Sequence, residues 1–180
     1  MHQKKTQYKH MRDILGNYDF INENVSIEDI EESDNIIMSD EKIIKPRNIS
    51  QKTAGFGKDG IGFKPKGLWY AFGSGWIDWV DGNMPEWKGK YLHKIQLDYR
   101  KILVLDKYGW GKFEKKYGVS NKAWNDGRIT DITWDYVQED GWYGIEVDDP
   151  YGMIGTWERT WSVSSGCIWD KRAIKRIIRL

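Results

Sequence analysis

Apolar residues change their spacing several times along this chain, and each change marks an element. Leu68-Trp69-Tyr70-Ala71-Phe72 is an apolar, aromatic run closed on both sides by glycine, which predicts a strand. Ser74 then stands ahead of Trp76, Trp79 and Val80, the pattern of a short capped helix. Residues 91–97 alternate apolar and polar positions, with Leu92, Ile95 and Leu97 as the apolar set, and residues 102–105 form a buried-type run. Both predict strands. Helical spacing returns at 110–117, where Gly118 supplies a C-terminal stop. A second helix is expected over 132–139, holding Trp134 and Val137. Strands follow at 143–147 and 167–169, separated by a loop through Pro150 and Gly155, and 174–178 closes the chain as strand or helix. No fixed-period repeat is present, which argues against solenoids and propellers. The pattern predicts an α+β fold, a bent or split, mainly antiparallel sheet with a few short helices.

Ahead of this body the text differs. Tyr8, Met11 and Leu15 have helical spacing, and an acidic stretch over 23–41 is interrupted by the apolar pair Ile36-Ile37. Residues 1–41 therefore read as a peripheral acidic extension and 42–180 as the body. Between Gly55 and Gly67 five glycines fall within thirteen residues. Such a segment is either mobile or brought close to a ligand. It lacks the Lys-Ser/Thr ending of a phosphate-binding P-loop.

Charge sharpens the division. Residues 1–41 hold four basic and ten acidic side chains, residues 42–180 twenty-four and seventeen, and residues 171–180 five cations without an anion. A basic body attracts nucleic acid or a phosphate-bearing cofactor, although the overall charge of +1 weakens a purely electrostatic binder. With 39% hydrophobic residues the chain can build a core, and no apolar run approaches the ~20 residues of a membrane helix. Met1-His2-Gln3-Lys4-Lys5 leads into no apolar stretch, so no secretory signal is expected. The single cysteine, Cys167, suits a reducing, cytoplasmic setting. All eleven tryptophans lie between Trp69 and Trp169. Packing accounts for most of them, which leaves two or three to line a groove for a flat ring such as a base, a nicotinamide or a sugar.

Isolated chemical signals are thin. His2, His10 and His93 are too scattered to suggest a metal site. Cys167 with His93 lacks the local signature of a thiol nucleophile, and Asp148-Asp149-Pro150 reads as an acidic turn.

The order of blocks says more. The segments Phe63 to Trp79 (FKPKGLWYAFGSGWIDW), Tyr91 to Asp106, Ile132 to Val147 and Ser165 to Ile177 (SGCIWDKRAIKRI) follow one another. They resemble an uncharacterised group of phage and bacterial proteins with KPxGLW and SGCIW segments, a likeness spanning about Lys64 to Leu180. In the same order they are similar to small NAD-dependent ADP-ribosyltransferases. That resemblance implies an ADP-ribosyltransferase-like fold, NAD as substrate and transfer to a protein or nucleic-acid acceptor. It places Arg47 on the NAD phosphates or ribose by order alone, and Trp69 or Tyr70 as the aromatic clamp. Ser74 substitutes for the hydroxyl residue whose place Ala71 takes. Ser164-Ser165-Gly166-Cys167 occupies the region of the late catalytic glutamate, so Ser165 joins the cofactor set, and Glu146 and Glu158 are the nearest carboxylates. The alternative is a non-enzymatic nucleic-acid-binding or protein-interaction module on the same fold.

Overall fold

The computed structural model describes residues 30–40, 46–52, 60–120, 129–148 and 161–180. The expected helix at 7–15, most of the acidic extension, Gly55, Gly57, the loop through Pro150 and Gly155, and Glu158 lie outside the described residues. The architecture is α+β: short helices accompany strands paired both parallel and antiparallel. The chain forms two compact units, one from Met1–Arg47, Tyr70–Asp98 and Ile174–Leu180, the other from Asn48–Trp69 and Tyr99–Ala173.

In the first unit β1 (Asn35–Ser39) lies between β3 (Leu68–Phe72) and β4 (Tyr91–Leu97), antiparallel to both. β10 (Ile174–Arg179) pairs antiparallel with the other side of β4. The apolar pair inside the acidic text is thus a central strand: Ile36 and Ile37 point to opposite faces, yet are 1% and 3% exposed. Helix α1 (Gly75–Asn83) packs against β1 and buries Ile77 and Val80. Ser74 precedes it as expected, but its hydroxyl bonds the Asp78 carboxylate at 2.5 Å and makes no cap to the backbone.

The second unit holds β2 (Ile61–Gly62), β5 (Ile102–Leu105), α2 (Trp110–Tyr117), β6 (Gly118–Ser120), β7 (Ile129–Thr133), α3 (Trp134–Glu139), β8 (Gly144–Val147) and β9 (Ser165–Ile168). β5 and β8 are parallel, which requires a long crossover, and the stretch carrying α2, β6, β7 and α3 supplies it. β9 runs antiparallel to β8, and β2, β7 and β6 make a separate antiparallel three-stranded sheet. The core is largely aromatic: Trp110, Phe113 and Tyr117 of α2 meet Trp134 of α3, Trp161 and Trp169. Most of the described tryptophans of this unit are therefore packing residues.

Two helix ends depart from the sequence pattern, one in its position and one only in its backbone geometry. Ile132 begins no helix, because Ile132 and Thr133 pair with Gly62 and Ile61 of β2, and the ladder holds them extended. Trp134 is the first helical residue, and its N–H donates to Gly60 O at 2.8 Å. Gly118 ends α2 in an extended conformation, φ −72°, so its role is not left-handed geometry. A Cβ there would press on the Glu114 carbonyl and stand 2.8 Å from Ile129 Cγ2.

Asp170, buried just after β9, anchors the end of this unit by bonding the N–H and guanidinium of Arg172. Burial alone would raise its carboxyl pKa; the Arg172 bonds outweigh burial and hold it below the ordinary value. A depressed folded pKa adds stability above the unfolded value, about 3.9, and loses it as pH falls through the folded one. The stability advantage of the natural chain over Asp170→Asn, measured by urea unfolding, is expected to be full above about pH 5 and to shrink steadily on acidification. A constant gap down to about pH 2 would refute this assignment.

Candidate functional site

The second unit contains a cavity of about 630 Å3, within the usual span for small-ligand sites. One wall is the strap from Ile61 to Gly67, a second is the indole of Trp69, and Asp131 of β7 contributes a carboxylate.

The strap is held by its backbone. Gln51, 2% exposed, donates from Nε2 to Lys66 O at 2.8 Å and accepts Lys66 N–H at Oε1 at 3.0 Å, copying one rung of a strand ladder. Gln138 secures the Gln51 segment by accepting Gln51 N–H and donating to Ile49 O. Further along, Trp134 Nε1 donates to Gly62 O at 2.8 Å. At Gly67 the strap touches β9 so closely that a Cβ would collide with the Ile168 carbonyl and lie 2.8 Å from Cys167 Sγ. Of the two readings of the glycine-rich run, close approach holds at Gly67, and what it approaches is the protein's own strand. With the backbone fixed, the Phe63 and Lys64 side chains face the cavity, Phe63 being 45% exposed.

Lys64 sets the electrostatics. Its ammonium stands 5.1 Å from the Trp69 ring centroid, a cation–π contact. Among the described residues no carboxylate pairs with it. Burial lowers its pKa below the ordinary lysine value, and burial also lowers that of Lys66. A partly buried cation without a counter-ion is costly, and an anion entering the cavity relieves that cost. Trp69 is braced from behind by Trp161, 4.9 Å away and tilted by 53°. Asp131, which lines the cavity, accepts the Thr130 hydroxyl at Oδ2, 2.9 Å. A ring surface, two ammonium groups and one carboxylate suit a flat ligand that carries anionic groups and hydroxyls.

The residues expected from sequence are dispersed. Trp69 alone lines the cavity. Its neighbour Tyr70 points to the other face of β3 and is 3% exposed, so it is a core residue. Arg47 and Ser74 are exposed and belong, like Tyr70, to the first unit. Glu146 is buried and accepts the Tyr99 hydroxyl at 3.0 Å. Ser165 is buried and donates to Val163 O at 2.9 Å. Glu146 pairs with Gly166 and Val147 with Ser165, so Glu146 and Ser165 face opposite sides of the sheet. Cys167 is fully buried, and burial pushes its thiol well above the ordinary value, which removes the thiolate a nucleophile needs. Lys64 and Asp131 escaped the sequence reading. The only signal for the first was a lysine on either side of Pro65 directly before the aromatic strand; for the second there was none.

No known family model matches the chain, and no curated protein or solved structure matches it. No helix among the described residues is long and apolar enough to cross a membrane.

Proposed function

We propose that the second unit binds a nucleotide-class ligand in this cavity, and that with NAD the chain transfers ADP-ribose to a macromolecular acceptor. The observation that carries the reading is Lys64: a cation without a carboxylate partner among the described residues, poised over an indole in a cavity of dinucleotide scale. The block order of the sequence, similar to that of ADP-ribosyltransferases, supports NAD as the ligand. A flat ring packs on Trp69 and Phe63, phosphate meets Lys64 and Lys66, and Asp131 receives a ribose hydroxyl. In the transfer the glycosidic C–N bond breaks and nicotinamide leaves with the electron pair as a neutral ring. The acceptor nucleophile bonds to the anomeric carbon and releases its proton. The Asp131 carboxylate opposes the positive charge that builds on the sugar.

Titration of NAD, followed by tryptophan fluorescence and calorimetry, tests binding. Lys64→Met removes a charge-assisted bond worth about 1.5–3 kcal/mol, so it is expected to weaken binding about 10- to 100-fold. Trp69→Leu removes the stacking surface and acts in the same direction. Asp131→Asn is expected to keep NAD binding while losing transfer of labelled ADP-ribose and NAD hydrolysis. No heat or quenching with NAD or ADP at millimolar concentration would overturn the reading. Binding with no turnover in the natural chain would leave a nucleotide-binding module without catalysis.

A further inference from the structure

Tryptophan is used differently in the first unit. Its three tryptophans, Trp76, Trp79 and Trp87, are absent from its buried core, and Trp87 is 57% exposed. Helix α1 turns Ile77 and Val80 inward, so Trp76 and Trp79, three residues apart, emerge half-buried on one flank. Their rings stack with centroids 5.0 Å apart and planes inclined by 10°, and Trp87 continues the row 6.3 Å from Trp79, tilted by 47°. The row is held in place. Lys88 Nζ donates to the Asp81 carboxylate at 2.7 and 2.9 Å, which ties the far end of the single-turn helix Pro85–Trp87 back to α1. Trp87 N–H donates to Met84 O, and Asn83 Nδ2 donates to Trp79 O, each at 2.8 Å. Contiguous indoles left in contact with water mark an interaction surface.

The charges beside the row are mostly of one sign. Asp78 adjoins Trp79, and Glu86 adjoins Trp87. Glu32 passes Gly73, just ahead of α1, so closely that a Cβ on Gly73 would stand 3.0 Å from Glu32 Cα. These three and Glu31 are exposed, and among the described residues no lysine or arginine pairs with any of the four. Lys88 is committed to Asp81, which leaves Lys90 as the other cation of residues 73–90. We propose that this face of the first unit binds an arginine-bearing peptide segment of a partner protein. Indole is the strongest aromatic partner for a cation. A guanidinium lays its plane on such a ring while its donor fork reaches a carboxylate, and the row supplies both groups side by side. A phosphate-bearing ligand would be repelled by the carboxylates, and a neutral sugar would stack on the rings but leave those charges uncompensated. The inference does not rest on the ligand of the cavity.

The test is fluorescence anisotropy of a short fluorescein-labelled peptide of alternating glycine and arginine, compared with the same peptide carrying citrulline, the neutral isostere of arginine. The citrulline peptide is expected to bind at least about tenfold more weakly, because it keeps the shape and loses the charge. Trp87→Ala alters an exposed side chain, so it is expected to leave the unfolding midpoint unchanged and to weaken arginine-peptide binding at least about fivefold. Glu86→Gln keeps every ring and removes one charge, and is expected to weaken binding about two- to fivefold. No binding of the arginine peptide at about 50 mM salt, equal binding of the citrulline peptide, or indifference to both substitutions would overturn the proposal. A cello-oligosaccharide bound in preference to the arginine peptide would overturn it in favour of a sugar platform.

Discussion

Gly67→Ala is expected to lose about 3 kcal/mol or more of unfolding free energy, the upper range of overpacking effects. The methyl group would enter the space of the Ile168 carbonyl and stand 2.7 Å from its carbon. Both neighbours are poor at giving way: the first is backbone within a paired strand, and Cys167 Sγ, at 2.8 Å, belongs to a fully buried side chain. The strap cannot retreat either, because Gln51 grips Lys66 at two points. Set against a typical total of about 5–15 kcal/mol, such a loss lowers the denaturation midpoint visibly. Gly82→Ala is the matched comparison. It lies inside α1 with nothing within 4 Å of the added carbon, so it is expected to stabilise by about 0.5–1 kcal/mol. If both variants unfolded at the parent's midpoint, the close approach of strap and strand would be wrong. Where Gly67→Ala still folds, a shifted strap carries Lys64 away from Trp69, and NAD binding should weaken with stability.

Trp169→Ala is expected to be the most damaging substitution, at about 3–5 kcal/mol. The side chain is 0% exposed, its ring centre is 6.4 Å from that of Trp134, and its Nε1 donates to Trp142 O at 2.6 Å. Truncation opens a cavity in the aromatic core and orphans the Trp142 carbonyl. Trp169→Phe separates the two effects, since it keeps most of the volume and loses the hydrogen bond. It should cost about 1–3 kcal/mol, the penalty for a buried group left unsatisfied. Urea unfolding monitored by far-UV circular dichroism reads both. An alanine variant within about 1 kcal/mol of the parent would place Trp169 outside the core.

Sequence pattern carried the elements whose cause is local. The runs at Leu68–Phe72, Tyr91–Leu97 and Ile102–Leu105 are strands at the expected bounds, and Trp110–Tyr117 is a helix because residues 110, 113 and 117 share one face. Pattern failed where pairing with a distant segment decides. Ile132 and Thr133 are strand because β2, some seventy residues earlier, lies beside them. Ile36 and Ile37 are central because β3 and β4 enclose them, although their neighbours in sequence are acidic. At the candidate site the same contrast holds: Trp69 was legible from glycine beside an aromatic strand, whereas Tyr70, adjacent and chemically similar, was separated from it only by the alternation of β3.

By itself, then, the amino-acid order determined where strands and helices begin to be favourable, that tryptophan would dominate the packing, and that positive charge would concentrate in the body. Those properties follow from periodicity and composition, which act over a few neighbouring residues. Tertiary structure decided which ring meets a cavity, that Asp131 joins Lys64 across more than sixty residues, and that Lys101 and Arg172 converge on Tyr143. Chain crossover and strand register make these juxtapositions, and both depend on contacts between segments that share no local signal.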